Sequence, residues 1–446
     1  MISNRLSRWT LLFFACALGN FLAAEGLALA GSTWPLRPVS APGTLIAVHL
    51  LAVGWLLLLV LGALFQFVPV ITSRPLVSQR LSLATLAAVQ TGLLAMVGGF
   101  LGITGEAPAL APALPVGGAV VLLGALIACV NVGAPLLRAR PLPLPGRMVL
   151  SGLAFLLLTV SLGLSFALAL AVPAAAPRLA PLVAGIGGHA LAGLGGWFTL
   201  TAMGVSYKLL PMFMLAPEER GMLGHCVHLA GAAGFALAVA AGIARIWLPA
   251  AALELAQMAG YSAVALAAGL YLWDVARIYR TRKRAMIEIH NRAAIGAFAF
   301  LGLAVLLAAG SLAMGRLAAE APIVVFLTLF GWLSGLGLSQ LYKVVPFLTW
   351  LSRYGNSLGR GKVPRVQDLV KEVRGYSWLV AYFLGVLLAA VSALFRSPGA
   401  FRPCLALAAL ATLGLSLEYW RGWRASYVRA CAPVSAVPPF SHEQRG

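Results

Sequence analysis

The sequence predicts an all-α polytopic membrane protein with twelve transmembrane helices in three repeated four-helix units. Three observations predict this class. Of the 446 residues, 61% are hydrophobic and only 10% are charged, whereas a soluble protein carries about 25% charged residues. Apolar runs of roughly 20 residues, each long enough to cross a bilayer of about 30 Å, recur along the whole chain. A phrase of similar sequence also occurs three times, and successive copies are about four apolar runs apart.

The apolar runs place nearly the whole chain, 1–425, in a single transmembrane domain. The first run follows two arginines and ends in ALAG, which resembles a signal-peptidase site. It is too long for the apolar region of a signal peptide and contains Asn20 and Glu25, so we interpret it as a span. The predicted spans are 9–30, 44–71, 81–103, 114–137, 148–172, 181–207, 224–247, 251–275, 291–315, 321–346, 376–396 and 400–420.

The repeated phrase lies on the second, sixth and tenth predicted spans. It reads GWLLLLVLGALFQFVP from Gly54, GWFTLTAMGVSYKLLP from Gly196 and GWLSGLGLSQLYKVVP from Gly331. In each copy a Trp precedes a Pro by 14 residues, and the Pro is predicted to end the helix. All copies cross in the same direction, which indicates parallel repeats about an axis along the membrane normal. The predicted units are 9–137, 148–275 and 291–420.

Lysine and arginine residues are concentrated on one predicted side of the membrane. With the N-terminus inside, all but six of the 32 lie on the inner side, as the positive-inside rule describes. The net charge of +20 therefore indicates contact with anionic lipid headgroups and not nucleic-acid binding. We expect a bacterial inner-membrane protein with both termini cytoplasmic and a disordered cytoplasmic tail over 426–446. The six exceptions are Arg37, Arg178, Arg245, Arg316, Arg396 and Arg402.

Several function classes lack their sequence signatures. The five cysteines form no CxxC pair, so neither a disulfide framework nor a zinc ribbon is predicted. The chain contains no dinucleotide-binding, phosphate-binding-loop, serine-hydrolase or HExxH signature. The sequence therefore directs attention to its histidines and to the repeated Gly-Trp pair.

Each Gly-Trp pair lies near the middle of the membrane. Trp55 is about eleven residues into its span, or roughly 16 Å along the helix axis, whereas interfacial Trp lies at headgroup level. The preceding Gly permits close approach by a neighbouring helix or a flat ligand. The pairs are either a packing motif at a threefold helix contact, or walls of a cofactor site formed by Trp55 and Trp197.

Two histidines lie near the predicted outer ends of their spans, His49 on the second and His189 on the sixth. Histidine within a membrane usually faces the bundle interior or a ligand, and neutral imidazole is the commonest protein metal ligand. His49 lies six residues before its Trp and His189 eight. Two residues correspond to about 200° around a helix, so the two are not symmetry equivalents. Each is either a ligand or a hydrogen-bonded core histidine.

A second pair occurs in HCVH, where His225 and His228 share one helix face at the inner start of the seventh span. This spacing suits a metal ion. The alternative is a titratable pair at the interface beside Glu218. Because this pair is predicted at the opposite membrane face from His49 and His189, the two pairs cannot form one site.

Twelve helices in three parallel four-helix units resemble subunit I of the haem-copper oxidase superfamily. The motifs are similar to those of divergent oxidase-like members, including NnrS-type nitric-oxide-response proteins, in which a His near the outer start of an even helix precedes Gly-aromatic and a later Pro. The corresponding stretches are HLLAVGWLLLLVLGALFQFVP from His49 and HALAGLGGWFTLTAMGVSYKLLP from His189. The resemblance implies haem b at His49, copper at His189, and a redox, respiratory or nitric-oxide-related role with an electron-transfer partner.

The chain departs from the oxidase pattern on two helices. Oxidases carry a His-x-His on helix 10, whereas this chain has no histidine on that helix; Val324 and Phe326 stand at the positions that correspond to His189 and His49. They also carry a histidine late in helix 7, whereas His225 and His228 lie at its start. The resemblance therefore implies an incomplete oxygen-reducing centre, and we expect no terminal oxidase activity. A transporter of a small or apolar substrate and a non-catalytic accessory subunit remain alternatives.

Overall fold

The computed structural model describes residues 4–31, 41–183, 185–218, 221–248, 250–355 and 363–431. Within these ranges the chain is helical and contains no β-strand. Eleven of the described helices are long and apolar enough to cross a membrane, and there are 12 spans if the bent pair Ala176–Val183 and Ile186–Met214 is one. The all-α class and the multi-pass membrane architecture are therefore confirmed.

We number the membrane-spanning helices in chain order. The short helix Ala176–Val183 precedes the sixth at an angle of 62°. The helices are α1 Asn4–Leu29, α2 Gly43–Thr72, α3 Gln79–Ile103, α4 Ala113–Arg138, α5 Leu144–Ala171, α6 Ile186–Met214, α7 Met222–Ala244, α8 Ala250–Arg280, α9 Ile289–Ala313, α10 Leu317–Tyr354, α11 Glu372–Leu394 and α12 Pro398–Cys431.

The helices are longer than the predicted spans at several ends. Hydropathy marks the part of a helix that lies in lipid, whereas the helix itself ends where its backbone hydrogen bonds end. Accordingly α10 runs to Tyr354 instead of ending near residue 346, and α12 continues to Cys431, past the predicted domain boundary at 425. The rest of the predicted tail, 432–446, lies outside the described residues.

The prediction that a proline ends each copy of the repeated phrase is wrong. Pro69, Pro211 and Pro346 all lie inside helices. Proline removes only its own N–H from the hydrogen-bond ladder, and neighbouring helices in a membrane bundle compensate for that loss. Pro69 and Pro211 lie three residues before their helices end, at Thr72 and Met214, whereas α10 continues eight residues beyond Pro346.

Three of the helices change to π-helical geometry at the same point of the repeated phrase. The eight-residue segments are Leu50–Leu57 in α2, Ala192–Thr199 in α6 and Leu327–Ser334 in α10. In each, Gly is the fifth residue and Trp the sixth. The three segments contact one another pairwise, so they form the centre of the bundle. π-Helical turns are rare and frequently occur at functional sites.

The glycine of each pair lies directly against a side chain of another helix. A Cβ atom added at any of these glycines would lie less than 3.0 Å from that side chain, a distance that Cβ atoms in proteins essentially never show. The glycines therefore allow close helix packing, which was the first of the two interpretations. The closest approaches would be 2.7 Å from Gly54 to Asn20 Cβ of α1, 2.3 Å from Gly196 to Phe155 Cγ of α5, and 2.3 Å from Gly331 to Phe300 Cδ1 of α9.

The three central helices define three seams: seam A between α2 and α6, seam B between α6 and α10, and seam C between α10 and α2. Aromatic side chains fill two of them. In seam C, Trp55 stacks on Phe21 at 4.8 Å and donates from Nε1 to Ser334 Oγ at 2.8 Å. In seam B, Trp332 lies 6.3 Å from the ring of Tyr271. Seam A differs, because it retains open space.

Candidate functional site

The open space in seam A is a cavity of about 350 Å³, within the range of known ligand pockets. Its walls come from α2, α3, α4, α5, α6 and α10. Trp197, the tryptophan of α6, forms part of the wall. Among the described residues that line the cavity none is charged, and the only titratable groups are His49 and His189.

His49 is held by its own helix. Its Nδ1 lies 2.7 Å from the carbonyl oxygen of Leu45, one turn earlier in α2, and its ring packs at 4.9 Å on Phe100 of α3. A carbonyl oxygen can only accept a hydrogen bond, so Nδ1 carries the hydrogen and donates. In the neutral ring Nε2 then has a free lone pair, and the described residues offer it no hydrogen-bond donor.

His189 is held across a helix contact. Its Nδ1 lies 3.0 Å from the carbonyl oxygen of Thr159 in α5, and its ring meets Phe166 at 5.5 Å. The same reasoning assigns the hydrogen to Nδ1 and leaves Nε2 as a bare lone pair. Metal-binding histidines characteristically donate their other N–H to a carbonyl oxygen or carboxylate in this way.

The difference in register between the two histidines explains why they share one cavity. Each central helix borders two seams, so the same position of the repeated phrase faces a different seam on each helix: Trp197 lines seam A, Trp332 lies in seam B and Trp55 in seam C. His49 on α2 faces seam A. The equivalent position on α6 would face seam B, and the rotation of about 200° that separates His189 from it returns the side chain to seam A. The structure thus brings His49 and His189 to one cavity, although they lie six and eight residues before their respective tryptophans.

Small residues from other helices make room for the histidines. A Cβ at Gly163 of α5 would lie only 3.1 Å from His189 Cε1. Gly118 of α4 and Gly193 of α6 also line the cavity. Sequence reasoning missed these positions, because a glycine within an apolar span gives no indication of which neighbour it faces. Thr159, which orients His189 through its backbone carbonyl, has no sequence signal at all.

The other predicted site residues lie elsewhere. Trp55 is fully buried in seam C and does not line the cavity. His228 Nε2 lies 2.9 Å from Ser151 Oγ of α5, and His225 is half-buried beside it at the start of α7. No group of three or more His, Cys, Asp or Glu side chains suited to a metal occurs among the described residues. The structure therefore does not join His225 and His228 to the pair at His49.

No protein-family model matches this chain, and no curated protein matches its sequence. Its class follows from the architecture: it is a multi-pass integral membrane protein of all-α fold. Its distinguishing feature is the apolar cavity in seam A, with two imidazoles on its wall.

Proposed function

We propose that this protein binds haem in the seam A cavity and that His49 and His189 are its iron ligands. The observation that carries the proposal is the convergence of two imidazoles, each with Nδ1 bound to a carbonyl oxygen, on one apolar cavity. Histidine is a common axial ligand of haem iron. Both rings line the same cavity, and the π segments that follow them in α2 and α6 are in contact.

The apolar lining of the cavity favours haem over a bare metal ion. Two imidazoles alone suit copper as well as iron, but an ion fills little of about 350 Å³. Apolar walls match the faces of a porphyrin. Because the described lining residues include no charged side chain, we expect the haem carboxylates at the outer mouth, where Ile186 is 40% exposed.

The side chains around the cavity would serve the bound cofactor in defined ways. The carbonyl oxygens of Leu45 and Thr159 hold the imidazoles in the Nδ1–H tautomer and fix their orientation. Phe100 and Phe166 restrict ring rotation, and the apolar wall excludes water. Haem supplies reversible one-electron chemistry when bound, so the role we infer is redox or nitric-oxide-related, with an electron-transfer partner.

This assignment differs from the one implied by the oxidase resemblance, which put haem at His49 and copper at His189. With both histidines on one cavity, a single centre that uses both requires no further ligands. Helix α10 contributes Pro322, Val325 and Leu329 to the wall but no histidine. We therefore also propose that the protein lacks terminal oxidase activity.

Visible spectroscopy of protein purified from haem-supplied cells tests the proposal. We expect a Soret band in the wild type and no binding of carbon monoxide by the reduced form, because His49 and His189 would together hold the iron. His49→Ala and His189→Ala should each remove one of the two ligands and allow carbon monoxide to bind. The double variant should lose the band, and the matched variant His225→Ala should retain the wild-type spectrum.

Two results would contradict the haem assignment. Colourless protein without metal would favour a transporter or an accessory subunit. Stoichiometric copper without haem, lost in His189→Ala, would replace haem by copper at the same site.

Two further parts of the proposal concern the repeats and the location of the protein. We infer that α1–α4, α5–α8 and α9–α12 are three repeats of one four-helix unit, as in the haem-copper oxidase superfamily. Two observations support this inference: π segments of equal length at the same point of the phrase, and Gly-Trp pairs that pack on the first helix of each unit. We also propose a bacterial inner-membrane location with both termini cytoplasmic, on the charge distribution alone.

A further inference from the structure

A second group of buried polar atoms lies in seam B, away from the histidine cavity. Asp274 of α8 is fully buried, Tyr271 one turn before it is also fully buried, and Tyr207 of α6 is 3% exposed. The two tyrosine rings meet edge to face at 5.6 Å. Membrane helices rarely contain an acidic residue, and those that do usually use it for ion or proton movement.

Most oxygen atoms of this group lack a hydrogen-bond partner. Oδ1 of Asp274 is paired with Arg277, whereas Oδ2 of Asp274 and the hydroxyls of Tyr207 and Tyr271 have no hydrogen bond of normal geometry to any described residue. The edge-to-face contact with Tyr271 places Tyr207 against α8, one turn from Asp274. A buried polar atom without a partner costs about 1–3 kcal/mol, and a charged one costs more. Three such atoms together indicate a site that binds a further group.

One charged group connects this site to the surface. Arg277 Nη2 lies 2.9 Å from Asp274 Oδ1, and the arginine side chain is 51% exposed. The arginine lies at the end of α8 that leads into the basic segment 281–288. We call this side of the bundle the basic face. The carboxyl group is therefore buried but only one side chain away from water.

We propose that Asp274, Tyr207 and Tyr271 form a proton-binding site within the membrane that is loaded from the basic face. The Asp274 carboxylate takes a proton from water and becomes a carboxylic acid, whose O–H donates to a tyrosine oxygen. The phenol hydroxyls can donate to the remaining carboxyl oxygen. The inference does not depend on haem binding in seam A.

The composition of the site favours a proton over a divalent cation. One carboxylate and two phenols supply fewer oxygen ligands than calcium or magnesium requires. A phenol also serves as both donor and acceptor, which suits a group that changes between acid and carboxylate. The charged and titratable groups that face Asp274 are Arg277 and Tyr271 from its own helix and Tyr207 from α6. No acidic side chain among the described residues pairs with it.

Infrared difference spectroscopy between acidic and alkaline buffers tests this site on the full-length protein in lipid vesicles. We expect a carboxylic acid carbonyl band that disappears on the alkaline side. Asp274→Asn should abolish that band. The control Asp368→Asn, a matched substitution at an exposed aspartate, should leave it unchanged.

Tyr207→Phe and Tyr271→Phe provide the test if Asp274→Asn does not fold. Each should retain the band but move its frequency, because a hydroxyl next to the carboxyl group has been removed. A folded Asp274→Asn protein with an unchanged band would overturn the proposal. So would an unshifted band in both tyrosine variants, or dependence of the band on sodium concentration at constant pH.

Discussion

At the scale of single residues, glycines allow neighbouring helices of this protein to pack closely, because glycine has no side chain. Gly196 precedes Trp197 in the π segment of α6, and the ring of Phe155 occupies the space where a Cβ would project. Phe155 in turn meets Phe235 at 6.4 Å, so the ring has a second neighbour that limits its movement. The close approach of α5 and α6 therefore depends on one missing methyl group.

Gly196→Ala should destabilise the protein by about 1–3 kcal/mol, the usual cost of overpacking a filled core. The new Cβ would lie 2.3 Å from Phe155 Cγ, and an aromatic ring cannot move aside without displacing its neighbours. The measurement is the midpoint of thermal unfolding in detergent. Gly269→Ala is the control, because Gly269 lies exposed in α8 with nothing within 4 Å of its Cβ position. Equal midpoints for the two variants would contradict the packing argument.

At the scale of the helix, the π segments set the direction in which the histidines point. His49 is the last residue before the segment Leu50–Leu57, and the wider π turn changes its rotation relative to Trp55. In an unbroken α-helix, the side chains of His49 and Trp55, which are six residues apart, would point in directions that differ by another angle. The π geometry thus allows one helix to place His49 in seam A and Trp55 in seam C.

Deleting Leu51, which does not line the cavity, should convert the π segment of α2 to α-helix. The helix would shorten by about 1.5 Å and His49 would rotate by about 100° relative to Trp55. We expect the proposed Soret band to be lost while the protein remains monodisperse in detergent. Deletion of the exposed Glu106 in the α3–α4 connection is the control and should preserve the band. A normal spectrum after the Leu51 deletion would show that the π geometry does not position His49.

At the scale of the whole molecule, three similar seams have different contents. Seam C contains stacked aromatic rings around Trp55, and seam B contains Trp332 with the Asp274 group. Among the residues that the structure describes, seam A combines open space with two histidines. The three seams therefore differ in content, although each lies between two of the central helices.

The orientation of the molecule in the membrane is a separate prediction. Reporter fusions at Gly105 and at Lys283 should be found outside and inside the cell respectively, because the basic segments are retained on the cytoplasmic side. Alkaline phosphatase activity at Gly105 and its absence at Lys283 is the expected result. The opposite pattern would reverse the assignment of the basic face and the direction of proton loading at Asp274.

Much of the fold could be predicted from the sequence, since the hydropathy of a segment and the recurrence of the Gly-Trp phrase can be read directly from the chain. Apolar runs located the helices to within a few residues at most ends, and the repeated phrase identified the three helices that meet at the centre. The ends of α10 and α12 were misjudged, because a helix continues beyond the lipid where its backbone is still hydrogen-bonded. The prolines were misjudged for a related reason, as neighbouring helices tolerate them.

The sequence by itself determined that this protein crosses the membrane many times and that His49 and His189 are unusual residues within it. Only the tertiary structure decided that they line one cavity, that Trp55 belongs to another seam, and that Asp274 lies beside two tyrosines. The reason is that a side chain's position along the membrane follows from counting residues, whereas its direction depends on helix rotation, π segments and neighbouring glycines. Those are set by contacts between segments far apart in the chain.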